Sequence, residues 1–305
     1  MKSILINKNI DEEIIKNGLK DVSLTACLGN FNGIHLGHQL LIKDAKIDAK
    51  YDLAVISFAN PLGEFNIKNK DKELLLSKSQ KEVLLKRLGV KYNIEIVIDE
   101  EFLSLSPLDF INNYLKKLGV KQIFVGDDFY FGKDRKGDAK LLGEYFEVNR
   151  CKIYSYNKEK ISTRDIISLI KEGNIKLANE LLGYNFEMKG QVVEGLHNGK
   201  TIGFPTLNLS PEVNYPMPSF GVYKVITYIL GIPYVGLANV GVHPTIDKLK
   251  EPTIEIHLLN FEKESYGKTI YVEFLKKIRD EIKFNSVSEL QNQIKKDIQS
   301  IKDWF

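Results

Sequence analysis

Near Glu187 the hydrophobic pattern of the chain changes period, and that change limits what each part can fold into. Before it, short apolar runs alternate with stretches of helical spacing. After it, apolar and polar residues alternate along short segments punctuated by Gly and Pro. The first pattern belongs to strands joined by helical crossovers, hence to a parallel sheet with helices on both faces. The second belongs to an antiparallel sheet, and its many short strands favour a barrel. A chain of 305 residues is long enough for two such domains, each with its own core. We expect an α/β domain over residues 1–180 and a β-barrel domain over residues 181–305.

In the first domain the spacing predicts strands at Leu24–Leu28, Leu53–Phe58, Ile94–Ile98, Gln122–Val125 and Cys151–Tyr154. Helices are predicted at Gln39–Ala49, at Ser79–Leu88, and from a Ser106 cap with Pro107 in the first turn to Leu118. Two short helices follow, Arg164–Lys171 and Ile175–Leu182, joined at Gly173. In the second domain strands are predicted at Gln191–Glu194, Val222–Leu230, Tyr234–Asn239, Thr253–Leu259 and Thr269–Phe274. Ser286 and Glu289 then have capping-box spacing. Leu290, Ile294, Ile298, Ile301 and Phe305 share one face of the helix that follows, which we expect to dock on the barrel.

Charge and composition exclude several function classes. The 43 basic and 40 acidic residues leave a net charge of +3, too balanced for broad binding to nucleic acid or a membrane surface. No apolar run approaches the roughly 18 residues of a membrane span. Asp11, Glu12 and Glu13 come too early for a signal peptide. Cys27 and Cys151 fit no metal spacing and read as reduced thiols in core strands, which points to the cytoplasm.

Unusual residues fall where the predicted strands end. After Leu28 comes Gly29-Asn30-Phe31-Asn32-Gly33-Ile34-His35-Leu36-Gly37-His38. Its glycines let backbone approach a ligand closely, and a helix begins here, so its dipole favours an anion. His35 and His38 lie one helical turn apart and suit the charge that develops on a phosphate during displacement. The second constellation is Gly203-Phe204-Pro205-Thr206-Leu207-Asn208, preceded by Gly190-Gln191-Val192-Val193-Glu194-Gly195. On an extended strand Thr206 and Asn208 point one way and Leu207 the other, into the core. A hydroxyl and an amide oxygen side by side are hard donors of the kind Mg²⁺ accepts beside phosphate oxygens. Glu255 alternates with Ile254 and Ile256, which places its carboxylate on the opposite face from them.

The Gly29–His38 string resembles the nucleotidyltransferase superfamily, and more narrowly the adenylyltransferase module of bacterial bifunctional riboflavin kinase/FAD synthetases. Three further segments resemble that module: Ser57-Phe58-Ala59-Asn60-Pro61, Val125 to Gly132 with Arg135 to Asp138, and Ile161-Ser162-Thr163-Arg164. Gly203–Asn208 resembles the nucleotide and metal motif of riboflavin kinases. Phe220–Tyr223, Asn239–Gly241 with Pro244-Thr245, Glu255–His257, Tyr266-Gly267 and Arg279–Phe284 follow in that family's order. The sequence departs from the family at Asn32, at Asn60, and at Asp165-Ile166, where the family continues Ile-Arg.

The resemblance implies two ATP sites that share Mg²⁺ as cofactor, with riboflavin, FMN and ATP as partners and with neither nucleic acid nor membrane. The first would hold ATP through Gly29, Phe31, Gly33, Gly37, Ser162 and Thr163, with His35, His38 and Arg164 catalytic and Asn60, Asp128 and Phe129 on the flavin. The second would hold ATP through Gly195, Gly203, Pro205, Thr206 and Asn208. There Thr206 and Asn208 would bind the metal, Glu255 would act as the base and Arg279 would lie beside the flavin. Riboflavin would become FMN in the second domain and FMN would become FAD in the first, in a cytoplasmic monomer or weak homo-oligomer. Two other readings stay open at this point. One is a kinase whose adenylyltransferase domain is weak or inactive; the other is a flavin-sensing protein without turnover. A class I tRNA synthetase also carries His-x-Gly-His, but no anticodon-binding region or strongly basic surface accompanies the motif here.

Overall fold

The computed structural model describes residues 1–7, 9–59, 73–152, 155–156, 159–195, 202–242, 252–261 and 263–302. Asn60, Gly199 to Thr201, Pro244, Thr245 and Phe305 lie outside the described residues. By its contacts the chain forms two compact units, Met1–Lys72 with Lys78–Ile161, and Glu73–Ser77 with Ser162–Phe305.

The first unit is built on a six-stranded, all-parallel sheet. Its strands are β1 (Lys2–Ile6), β2 (Leu24–Leu28), β3 (Asp52–Ala59), β4 (Tyr92–Val97), β5 (Val120–Gly126) and β6 (Glu147–Cys151), in the spatial order β1-β4-β3-β2-β5-β6. From β2 the chain steps outward through β3 and β4, then returns to pair β5 on the other side of β2. The order therefore reverses between β2 and β5. In such sheets the crevice beyond the carboxyl ends of the two strands at the reversal is where ligands bind. Both ends carry segments singled out above.

Side-chain alternation explains the helices on both faces. Ala26, Leu28, Ile56, Ile94, Ile123 and Val125 form one core with Ile10 and Ile14 of α1 (Ile10–Lys16) and with Phe110, Ile111, Leu115 and Leu118. Cys27, Val55 and Phe124 are buried on the opposite side of the pleat. Helix α2 (Leu36–Asp48) buries Leu41, Ile42 and Ala45 and packs on β2, β3 and β5.

Two elements differ from the sequence expectation. Ser106 caps its helix by accepting from the Asp109 N–H at 3.1 Å, with Pro107 in the first turn as expected. The α-helix stops at Phe110, however, and continues as a π-helix over Ile111–Leu115. The wider turn keeps Phe110, Ile111, Leu115 and Leu118 buried together. The last described strand of the sheet is Glu147–Cys151, which meets the expected Cys151–Tyr154 only at Cys151; Ile153 and Tyr154 lie outside the described residues. As an edge strand it is polar, so hydrophobic periodicity does not mark it. Cys151 is accordingly half-buried and not a core thiol.

The second unit opens with α4 (Thr163–Lys171) and α5 (Ile175–Leu182), numbering α3 as Lys78–Arg87 in the first. Six antiparallel strands then close a barrel: β7 (Glu187–Val193), β8 (Leu207–Pro211), β9 (Gly221–Ile229), β10 (Ile232–Val242), β11 (Pro252–Leu258) and β12 (Thr269–Arg279). The order around it is β7-β8-β11-β10-β9-β12, and β12 pairs back onto β7. Met188, Val225, Ala238, Ile256, Val272 and Phe274 are among its buried residues.

The terminal helix α6 (Val287–Lys302) docks on the barrel as the sequence suggests, with Ile298 and Ile301 against Val222 and Leu237. Ser286 accepts from the Glu289 N–H at 3.2 Å, while the Glu289 carboxylate accepts from the Asn285 N–H at 2.9 Å. The reciprocal cap thus reaches one residue further back than the usual box.

Candidate functional site

In the first unit the loop after β2 is backbone under constraint. Phe31 and Ile34 have φ of 48° and 39°, with Gly33 at 90° between them. A left-handed conformation is uncommon for a bulky residue and exceptional for a β-branched one, and it persists only where the surroundings enforce it. Both side chains are fully buried. The Ile34 carbonyl accepts from the Gln39 side chain at 2.9 Å. A Cβ at Gly29 would come within 3.1 Å of the Phe31 ring, a tight approach that the ring would have to relieve by a few tenths of an ångström.

This turn delivers His35 as the N-cap of α2, with extended ψ of 172° and no side-chain cap hydrogen bond. His38 follows in the first helical turn. The two imidazoles stack with centroids 3.9 Å apart at 23°, and the Phe31 ring lies 4.9 Å from that of His38. The first turn of α2 contains no acidic residue. An imidazole pair at the positive end of a helix whose first turn carries no carboxylate suits a phosphate.

In the segment after the neighbouring β5, Asp128 is exposed and Phe129 stacks on Phe131 with centroids 5.9 Å apart. Phe131 meets Phe110, and Phe110 meets Phe58 at 6.3 Å. The end of β3 and the segment after β5 are thus joined by one chain of aromatic rings. Ser57 is buried and accepts from Lys81 Nζ at 2.8 Å, while that ammonium pairs with Glu95 at 2.6 Å.

Ser162, Thr163 and Arg164 begin the second unit. Ser162 is the N-cap of α4, and its hydroxyl donates to the Asp165 carboxylate at 2.6 Å and accepts from the Asp165 N–H at 3.2 Å. Asp165, a departure from the family pattern, therefore completes a capping box. Arg164 is exposed.

The barrel brings its predicted residues into one row. Asn208 on β8 pairs with Glu255 on β11, which pairs with Asn239 on β10. Asn239 pairs with Val222 on β9, and Val222 pairs with Arg279 on β12. Glu255, Asn239, Arg279 and Thr206 line a cavity of about 330 Å³. Its apolar walls include Ile202, Phe204, Leu237, Ile282 and Phe284, and Leu290 and Ile294 of α6 complete it. Ile254 and Ile256 are buried while Glu255 is half-buried, as alternation requires. A Cβ at Gly195 would collide with the Asn208 side chain, so Gly195 makes the space in which that amide sits. Leu207 is half-buried rather than in the core; Leu209 is the buried residue of β8.

The loop ahead of β8 is pinned. Gly203 takes φ of 84° in open surroundings, so its backbone angle is what calls for glycine. The ring nitrogen Nδ1 of His257 is 2.9 Å from the Pro205 carbonyl, and the His257 ring meets Phe204 edge-on at 5.6 Å. Gln291 of α6 donates to the Ile202 carbonyl at 3.2 Å. Asn239, His257, Glu281 and Asp297 line the cavity but were not assigned site roles from the sequence. Asn239 and His257 stand in the strings that follow family order. Asp297 gives only the signal of a charge inside an apolar helical stripe.

A riboflavin kinase family model matches residues 182–305 and an FAD synthetase model matches residues 19–168. The bifunctional riboflavin kinase/FMN adenylyltransferase of Bacillus subtilis is 36% identical, covering 91% of each chain. That of Escherichia coli K12 is 35% identical over the same shares. A crystal structure from Streptococcus pneumoniae, described as a macrolide-efflux protein, superposes with a TM-score of 0.89 at 33% identity over the whole of both chains. Among the described residues no helix is long and apolar enough to cross a membrane. With the nucleotide loop of a parallel sheet in one unit and the Asn208–Glu255 ladder in the other, the chain belongs to the bifunctional riboflavin kinase/FMN adenylyltransferase family.

Proposed function

We infer that the chain makes FAD from riboflavin in two ATP-dependent transfers, phosphorylation in the barrel unit and adenylylation in the sheet unit. The observation that carries the first is the position of Glu255, set between Asn208 and Asn239 on the ladder and opening into the cavity that Thr206 and Arg279 also line.

Riboflavin carries a neutral 5′-hydroxyl, a poor nucleophile until its proton leaves. Glu255 accepts that proton as the oxygen attacks the γ-phosphorus of ATP. Gly195, Gly203 and Pro205 shape the loops that hold the nucleotide, and Arg279 lies beside the flavin. Thr206 and Asn208 offer a hydroxyl and an amide oxygen next to a carboxylate, a hard donor set that fits Mg²⁺. A cation held there supplies neutralisation of phosphate charge.

The second transfer needs no base, because the FMN phosphate is already an anion. It attacks the α-phosphorus of a second ATP and pyrophosphate leaves. His35 and His38 stabilise the charge that builds up, and Gly29, Phe31, Gly33 and Gly37 form the nucleotide site of the sheet unit. Asp128 and Phe129 lie on the flavin side of the site. The nearly neutral chain works in the cytoplasm as a monomer or weak homo-oligomer, without nucleic acid or membrane.

Incubating the pure protein with riboflavin, ATP and Mg²⁺ and separating the flavins by chromatography tests both steps. FMN and then FAD are expected, with pyrophosphate released in step with FAD. FMN without FAD or pyrophosphate would reduce the chain to a kinase. Flavin binding without any product would make it a sensor.

A further inference from the structure

The terminal helix α6 does more than cover the barrel. Along its apolar stripe of Leu290, Ile294, Ile298 and Ile301 stands one charge, Asp297, and it is 4% exposed. A carboxylate at such a place needs partners for both oxygens. It has them: Arg279 Nε donates to Oδ2 at 2.9 Å, and Gln293 Nε2 donates to Oδ1 at 2.8 Å. The Arg279 side chain is itself only 16% exposed. Its Nη1 donates to the Asp280 carbonyl at 3.0 Å, and its guanidinium lies 5.9 Å from the centre of the Phe284 ring.

A guanidinium on a long, flexible stem has no fixed direction of its own. Here one nitrogen is taken by a helix carboxylate and another by the adjoining backbone, so the plane of the group is set before any ligand arrives. Both Arg279 and Asp297 line the cavity that contains Glu255. The same helix also holds the far side of this cavity, through Gln291 and the Ile202 carbonyl.

We propose that Asp297 is a positioning residue for the kinase reaction, fixing the Arg279 guanidinium in the orientation that receives riboflavin. The terminal helix is then a working wall of the substrate cavity and not only a lid on the barrel's apolar side. This rests on the reading of Arg279 as a flavin contact. Asp297 acts through Arg279 and does not touch the reacting atoms.

The test is a double-mutant cycle in the full chain, with Asp297→Asn, Arg279→Ala and both together, assayed for FMN formation at saturating MgATP. Asp297→Asn is expected to raise KM for riboflavin roughly tenfold while kcat changes about twofold or less. The double variant should be no worse than Arg279→Ala alone, because the carboxylate has nothing left to orient. FAD formation from added FMN should match the unaltered chain, which certifies the protein. If Arg279→Ala raises KM and Asp297→Asn does not, the positioning role is overturned while the flavin contact stands. An unchanged KM in Arg279→Ala overturns the contact itself. A purely structural Asp297 would lower Tm in Asp297→Asn without moving KM, or would give penalties that add in the double variant. Should Asp297→Asn fold poorly, Gln293→Leu loosens the same carboxylate from its other oxygen. It is expected to raise the riboflavin KM in the same direction by a smaller factor, and no rise overturns the proposal.

Discussion

Asn208 and Glu255 face each other across the β8–β11 ladder, so the amide that would hold metal and the carboxylate that would take the proton share one rung. Their relative position is fixed by backbone pairing and not by flexible side chains. A base set on a paired strand can be removed without disturbing the fold that carries it.

Glu255→Gln should therefore lower kcat for FMN formation by about 10²–10⁴-fold, the usual worth of a positioned general base. Riboflavin binding and Tm should stay near those of the unaltered chain. FAD formation from added FMN should continue at full rate. Comparing the two assays on one preparation checks this, and unchanged FMN formation would remove Glu255 from its role.

Gly195→Ala places a methyl group where the Asn208 side chain lies. The amide must move, so KM for MgATP in the kinase reaction should rise, by up to about a hundredfold for a displacement near an ångström. Titrating Mg²⁺ at fixed ATP should show a matching loss of metal affinity. Chelation of Mg²⁺ by EDTA should stop both reactions, and restoring it should recover them.

His35→Ala and His38→Ala should each reduce FAD formation by about 10²–10³-fold, the loss expected when one preorganised partner of a developing charge is removed. FMN formation should be untouched. Because the rings stack at 3.9 Å, the two losses should not add in the double variant. Pyrophosphate release gives the readout.

Ser162→Ala removes the hydroxyl's two bonds with Asp165 and leaves only the Asp165 carboxylate accepting from the N–H of residue 162. The expected cost is about 1 kcal/mol of stability, read as a lower Tm. The hydroxyl is already engaged by Asp165, so any additional loss of FAD formation would show that the cap opens when nucleotide binds.

The two thiols should resist modification in the native protein. Burial, with Asp44 and Asp127 adding to it, pushes the Cys151 thiol up to about 11, and burial raises Cys27 further. A raised thiol pKa leaves little thiolate at pH 8. Ellman's reagent should thus react slowly at pH 8, faster at Cys151 as pH approaches 11, and completely once denaturant is added.

Sequence pattern reaches most of the architecture because it records burial. Glu255 between two buried isoleucines and the alternation along the barrel strands are legible for that reason. So is the crossover rhythm of the parallel sheet. The edge strand Glu147–Cys151 escapes because an edge needs no apolar face. The left-handed Phe31 and Ile34 escape because nothing in a bulky side chain announces that conformation. Asp297 reads as an interruption of an apolar stripe, since its partner Arg279 is 18 residues earlier and on another element. In each case the missing information is tertiary.

The barrel closes by pairing its first strand with its last, Glu187–Val193 against Thr269–Arg279. Arg279 sits at the end of that last strand, and the helix that braces it comes later still. On a ribosome the sheet strands are all made once Cys151 has been added, and the imidazole pair can then take up its place. The kinase cavity must wait for the final helix to emerge. A growing chain would thus gain its two activities in the opposite order to that in which a riboflavin molecule meets them.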